Sequence, residues 1–317
     1  MASELCSHVQ NIDSVIFITY PEYPTKLHFN DEKVIGQAEL SSRQTLIPIL
    51  KKLSKEKDRK FLFIETSWGL SRFTPSQNNY LIPMWEQENW KVEMNYCDNF
   101  ISVTKFGLSV FRSAQVASRF LPFPIQENSS RRTRTGIKNI LHNAGSFGGD
   151  FRKGTPEAVR IFQKSGLGHQ GVQLTISSIR PPDIELIEIV NENSEGIVFD
   201  SKLKDSWMEN YQNMDLLLFP SRVEGHALAV LEAHSFGIPA LVTDCAPINE
   251  YELDPRFHIR VAQRKGLRSF VDLDDGAHKL RSLMDIDYSA KSLEVLNIFN
   301  SNYSWKSTLK FYEAVFK

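Results

Sequence analysis

"LLLFPSRVEGHALAVLEAHSFGIPALVTD", residues 216–244, holds the reading on which the rest of the chain depends. Asp215–Phe219 has the composition of a buried strand, Pro220–Gly225 that of a loop, and "PALVTD" (239–244) that of a second strand. Between them a helix is expected to begin at His226 or Ala227 and to run to about Phe236, where Gly237 and Pro239 stop it. Strand, loop, helix and strand form the unit of an open parallel sheet, whose ligands bind beyond the carboxyl ends of the strands. Backbone N–H groups of residues 226–229 would emerge at that helix start and offer partial positive charge to a phosphate or diphosphate. Glu224 precedes this seat, and Glu232 lies about one and a half turns into the helix, roughly 8 to 9 Å further along. Two carboxylates so placed cannot share one ligand atom. Each would be repelled by phosphate, so each is expected to accept hydrogen bonds from hydroxyls on either side of an anionic centre. A nucleotide sugar has that form.

The pattern extends in both directions. "IKNILHNAG" (137–145), "VQLTISS" (172–178), "GIVFD" (196–200) and "FHIRV" (257–261) read as further strands of the same half. "SVIFITY" (14–20), "KFLFIE" (60–65), "NFISVT" (99–104) and "RFLPFPI" (119–125) read as strands of a first half. Its helix over 41–58 carries Leu46, Ile49, Leu50 and Leu53 at three-four spacing, with Pro48 taken to mark the first turn. The polar, basic stretch "QENSSRRTRTG" (126–136) interrupts the alternation and reads as a linker. Two doubly wound α/β domains follow, residues 1–130 and 131–317. Helices near 277–284, 289–300 and 304–317 close the chain, the last with Leu309, Tyr312 and Phe316 on one stripe.

Composition narrows the function classes. With 37 basic and 38 acidic residues among 317, the net charge of −1 gives no global field toward nucleic acid or an anionic membrane. Cys6, Cys97 and Cys245 fit no metal-ligand spacing, and three thiols cannot all pair within one chain, which points to a reducing cytoplasmic setting. No apolar run approaches the roughly 18 to 20 residues of a membrane span, and no leader pattern opens the chain, so a soluble protein is expected. The first strand is not followed by G-x-G-x-x-G, which disfavours NAD-dependent redox chemistry. "VDLDDG" (271–276) contains an Asp-x-Asp triplet but reads as a charged turn.

At this point the residues carry a family resemblance. The stretch 216–251, with two glutamates in E-x7-E spacing at Glu224 and Glu232, resembles the donor-site signature of family 4 glycosyltransferases. "RKGTPEAVRIF" (152–162) resembles the lysine-glycine segment of their C-terminal domain, and "YSWKSTLKFYEAVF" (303–316) their C-terminal helix. The resemblance implies a GT-B fold: two Rossmann-like domains facing across a cleft, the N-terminal one reduced and on the acceptor side, the last helix packing back toward it. It implies a retaining hexosyltransferase that uses a nucleotide-sugar donor, with no metal or other cofactor and no nucleic acid. Carried over by position, Glu224 would hold the donor sugar, Lys153 the diphosphate and Glu232 the ribose hydroxyls. Gly225, His226 and the amides of Ala227, Leu228 and Ala229 would line the donor seat.

Two departures stand out. His226 and Ala227 occupy places where the family often has an aromatic residue and a glycine, and the arginine usual before the lysine has no clear equivalent, Arg152 being the substitute. In the first half, "FIETSWGLSRFTPSQNNYLIPMWEQENW" (63–90) offers Glu65, Trp68, Trp85 and Glu86 as an acceptor surface, with tryptophans that fill the interdomain core as the alternative. The acceptor is a hydroxyl of a glycan, such as a surface polysaccharide, or of a lipid-linked or protein-linked glycoconjugate. A weak peripheral membrane contact is left open. A non-catalytic nucleotide-sugar or carbohydrate binding protein, or an epimerase on the same scaffold, is the competing reading.

Overall fold

A computed structural model describes residues 15–19, 34–39, 43–55, 60–65, 70–87, 90–128, 133–145, 152–179, 181–202, 204 and 206–316. By contacts the chain divides into two units, Met1–Pro124 with Trp305–Lys317, and Ile125–Ser304.

The described part of the first unit holds a parallel pair, β1 (Val15–Thr19) and β2 (Val34–Glu39), and helix α1 (Arg43–Leu53). A four-stranded sheet follows, made of β3 (Phe61–Glu65), β4 (Asn79–Pro83), β5 (Asn99–Ser102) and β6 (Ser118–Phe120), parallel throughout in the order β3-β4-β5-β6. Helix α2 (Lys105–Ser113) crosses from β5 to β6, capped by the Thr104 side chain, which accepts from the Gly107 amide. Leu81, Trp90, Phe100 and Phe111 form its core, with Trp90 and Phe100 both edge-on to Phe111.

The second unit is built on six parallel strands. They are β7 (Asn139–Gly145), β8 (Gln173–Ser178), β9 (Ile197–Asp200), β10 (Leu216–Phe219), β11 (Ala240–Thr243) and β12 (His258–Ile259). Their order is β12-β11-β10-β7-β8-β9. Numbered from β7, that is the doubly wound order 3-2-1-4-5-6, and its topological switch point falls between β7 and β10. Helices α3 (Thr155–Ser165) and α4 (Ile184–Glu192) link β7 to β8 and β8 to β9; α5 (Leu228–Ser235) links β10 to β11. An antiparallel hairpin, β13 (Val261–Lys265) and β14 (Arg268–Val271), precedes α6 (Leu273–Ser282) and α7 (Tyr288–Asn302). Val159, Phe162, Ile189 and Leu280 from α3, α4 and α6 pack with Ile140, Leu174, Leu216 and Leu218 in one core. Alternation turns Leu141, Leu217 and Phe219 to the other face, and all three are buried. Helix α8 (Trp305–Phe316) ends the chain within the first unit, where the Tyr312 hydroxyl donates to the Pro122 carbonyl at 3.0 Å.

Several expectations need correction. Pro48 sits inside α1, at its sixth residue and not in the first turn; Leu50 is buried beside Ile47 and Phe61, and this burial outweighs the missing amide bond. Of the run expected over 119–125 only Arg119 and Phe120 are strand, at the end of β6, because Pro122 and Pro124 have no amide for a ladder. The run 257–261 is not one strand: His258–Ile259 pairs with β11 while Val261 starts the hairpin. The "charged turn" is a helix start, where the Asp272 side chain accepts from the Asp274 and Asp275 amides as the N-cap of α6. In the polar linker, Arg134 is buried, its Nε donating to the Met214 carbonyl at 2.7 Å. Helix α5 begins at Leu228, later than expected, because Ala227 is left-handed at φ 51° and ψ 42° and breaks the helical run.

Candidate functional site

The loops after β7 and β10 meet at the switch point. After Gly145, left-handed at φ +76°, residues 146–151 lie outside the described residues, including most of the glycine-rich stretch, and the chain returns at Arg152. Gly154 is left-handed at φ +70°, and a Cβ on it would lie 2.1 Å from the Pro220 carbonyl oxygen. Only glycine lets this turn press against the β10 loop. The Arg222 amide closes the contact by donating to the Arg152 carbonyl at 2.8 Å. Arg152 is therefore a backbone anchor here, with its side chain exposed.

On that frame Lys153 and Glu224 come together. Lys153 Nζ donates to Glu224 Oε1 at 2.6 Å, and the ammonium lies 5.1 Å from the centre of the Phe219 ring. The Ser221 hydroxyl donates to the same carboxylate oxygen at 2.6 Å. Glu224 is buried, so its charge depends on these two donors. Gly225 and His226 are buried beside it. Burial lowers the His226 imidazole to about 4 against the opposing pull of Glu224, so the ring is neutral at physiological pH. Ala227 is buried and caps α5 by backbone conformation alone, and its carbonyl accepts from the Val230 amide at 3.0 Å. That leaves the Leu228 and Ala229 amides in the first turn of an eight-residue helix, where the backbone dipoles favour an anion.

Glu232 stands on α5 with part of its surface open to solvent. Its carboxyl lies among protein atoms deeply enough that desolvation raises its pKa, opposed by a hydrogen bond from Tyr211 and by the Lys153 charge. The Tyr211 hydroxyl donates to Glu232 Oε2 at 2.6 Å.

Neighbouring groups hold this arrangement. His142 on β7 is fully buried; its Nδ1 lies 2.9 Å from the Leu218 carbonyl and its Nε2 2.9 Å from the Thr155 hydroxyl. A carbonyl only accepts, so Nδ1 carries the proton and Nε2 accepts from Thr155. Burial lowers this imidazole to about 4, and it ties β10 to the start of α3 as a neutral ring. Glu157 in the first turn of α3 pairs with Arg222, whose Nε and Nη2 lie 2.8 and 2.7 Å from Oε1. The Arg222 guanidinium also lies over the Phe270 ring, 4.7 Å from its centre. None of Tyr211, Asn143, Ser221, Glu157 or Arg222 was singled out by sequence. Ser221, three residues before Glu224, is the one whose position carried a signal.

Of the first-half candidates, Trp85 is half-buried, edge-on to Phe106 at 4.8 Å and packed beside the core of the first unit. The Glu86 carboxylate oxygens are buried. Glu65 ends β3, and nothing of its side chain is described; Trp68 lies outside the described residues.

Comparison with known proteins bears on this geometry. Residues 141–272, the segment holding Lys153, Glu224 and Glu232, match the family model described as Glycosyl transferases group 1. No curated protein matches the chain. Among solved structures, a mutant of TarM from S. aureus in complex with fondaparinux, alpha-GlcNAc-glycerol and UDP is 15% identical, with a TM-score of 0.68 over 86% of this chain and 58% of that one. The pneumococcal O-GlcNAc transferase GtfA in complex with UDP and GlcNAc is 12% identical, with a TM-score of 0.62 over 86% and 59%. The fold is GT-B. Another GT-B structure, Anabaena HepE in complex with UDP and glucose, is 11% identical, with a TM-score of 0.63 over 86% of this chain and 82% of that one. This chain thus spans less than two thirds of TarM and GtfA.

Proposed function

We propose that this chain is a retaining hexosyltransferase of the family 4 kind, moving a sugar from a nucleotide-sugar donor to a hydroxyl of a glycan, lipid-linked or protein-linked acceptor. One observation carries the reading: Lys153 and Glu224, from the loops after β7 and β10, meet at 2.6 Å at the switch point, beside the start of α5 that bears Glu232. The ion pair sets Lys153 and Glu224 side by side at the mouth of the site. An arriving diphosphate takes over Lys153 and the amides of Leu228 and Ala229, with the Arg152 guanidinium at the rim. Glu224, still held by Ser221, turns to a sugar hydroxyl, and Glu232 accepts from the ribose hydroxyls. His226 and Ala227 border the sugar, where the Ala227 methyl limits its approach.

In the transfer step the bond from the anomeric carbon to the diphosphate oxygen breaks, and the electron pair leaves with the diphosphate. Lys153 and the helix start stabilise the charge that grows there, so no metal is part of the proposal. The acceptor oxygen bonds the anomeric carbon from the same face and passes its proton to the departing phosphate oxygen. Glu65, Trp68, Trp85 and Glu86 remain the proposed acceptor-side candidates. A cytoplasmic setting is supported by the free, buried thiols of Cys97 and Cys245. Among the described residues no helix is long and apolar enough to cross a membrane.

UDP in three of the structural neighbours makes uridine nucleotides the first donors to try. The test is a panel of nucleotide sugars and glycan acceptors, with nucleotide release and the anomeric configuration of the product as readouts. Lys153→Met is expected to lower turnover by at least about 100-fold, and Glu232→Ala to weaken donor binding. If Glu232→Ala leaves both donor binding and turnover intact, the assignment fails. Binding without nucleotide release would favour the non-catalytic reading.

A further inference from the structure

Glu232 would offer both oxygens to ribose hydroxyls as strong acceptors when it is a carboxylate, yet it lies where burial favours the neutral acid, a weaker acceptor. Two titratable groups act against that burial, Lys153 from the loop after β7 and Tyr211 from the turn before β10. Tyr211 is the one in contact. Its hydroxyl is 2.6 Å from Glu232 Oε2 and 3.5 Å from the Ala229 carbonyl, so its single proton goes to the nearer, charged acceptor. The side-chain amide of Asn143, at the carboxyl end of β7, donates to the same hydroxyl at 3.3 Å, which occupies a lone pair and turns the proton toward Glu232. The ring has no freedom to leave. Tyr211 is fully buried, stacked on Phe236 at 5.7 Å and edge-on to Trp207 at 5.9 Å. Burial and the adjacent carboxylate hold the phenol well above its ordinary pKa, so it stays a donor.

We propose that Tyr211, oriented by Asn143, is a positioning residue for the nucleotide: its hydroxyl fixes Glu232 Oε2 and keeps the carboxylate in its accepting form, presenting Oε1 to the ribose. The inference rests on the reading of Glu232 given above and adds a residue remote from the sequence signature. It also sets the acid limit of donor binding. Ribose hydroxyls bind the ionised carboxylate, so affinity is full above the folded-state pKa of Glu232 and is lost as pH falls through it. Without the Tyr211 donor that pKa rises, and the loss begins at higher pH.

The test compares wild type with Tyr211→Phe, which keeps the ring and its packing. UDP affinity is measured by calorimetry from about pH 8 down to about pH 5. The titration of UDP itself is common to both proteins, so the readout is the ratio of their affinities. That ratio should be smallest at the alkaline end and grow by about tenfold at the acid end. In a Glu232→Gln background the growth should vanish. A ratio that is constant with pH means that Tyr211 only packs, and overturns the proposal. A ligand-free measurement keeps the outcome independent of the donor: the Glu232 carboxyl, followed by carbon-13 NMR, should titrate at higher pH in Tyr211→Phe. An unchanged midpoint there sinks the inference alone. If wild type binds none of UDP, ADP and GDP, the proposed function falls first, and the role of Tyr211 in nucleotide binding falls with it.

Discussion

A methyl group on Gly154 would meet the Pro220 carbonyl oxygen at 2.1 Å, on a backbone already left-handed at φ +70°. Neither difficulty can be relieved by turning a side chain, because the obstacle is backbone and the conformation is one that L side chains avoid. Gly154→Ala is therefore expected to cost at least about 3 kcal/mol, read as a drop in the midpoint of urea unfolding, and to lower UDP affinity in whatever protein remains folded. A variant with wild-type stability would show that the two loops do not meet as described. Ala227 presents the opposite case. It adopts φ 51° while carrying a methyl group, and its carbonyl still closes the first turn of α5. The conformation costs about 1 to 2 kcal/mol for an L residue, and the surrounding burial holds it.

The Glu157–Arg222 pair acts at the level of elements, joining the first turn of α3 to the loop after β10. Both guanidinium contacts use Oε1, and Oε2 is buried without a hydrogen-bond partner among the described residues. Removing the guanidinium leaves a buried carboxylate with no partner. Arg222→Met should cost about 3 to 5 kcal/mol, whereas adding Glu157→Leu should recover most of that loss; thermal melts of the two single variants and the double variant close the cycle. A loss in the double variant equal to the sum of the two single losses would mean that the two side chains do not couple. Such a pair shows what the sequence left unread. Strands β7, β8, β10 and β11 were legible because they are buried on both faces and run as near-continuous apolar segments, and Glu224, Glu232 and Lys153 could be singled out as candidates because each sits in a local signature. Strand β4 was hidden in "NNYLIP", within the stretch read as an acceptor surface. The β13–β14 hairpin carries Gln263, Arg264 and Lys265 exposed, so it has no apolar alternation to detect. Tyr211, Asn143 and Glu157 find their partners only when strands distant in sequence lie side by side, and the left-handed Ala227 has no glycine to announce it.

At the scale of the whole molecule, two neutral buried histidines among the described residues contribute to the response to acid. His142 and His226 are both lowered to about 4, whereas in the unfolded chain each titrates near its ordinary 6.5. Below that ordinary value the unfolded state takes up protons that the folded state refuses, so stability is full above about pH 6.5 and falls toward pH 4, by about 1.4 kcal/mol per pH unit for each ring. The slope of melting temperature against pH should therefore flatten in that window for His142→Gln, and a slope unchanged by the substitution would contradict a neutral His142. The path of the chain has its own consequence. Trp305–Lys317 belongs with Met1–Pro124, and Tyr312 completes that unit through the Pro122 carbonyl. A ribosome must make all of Ile125–Ser304 before the unit it began with can acquire α8, so a stop codon anywhere within the second unit also injures the first.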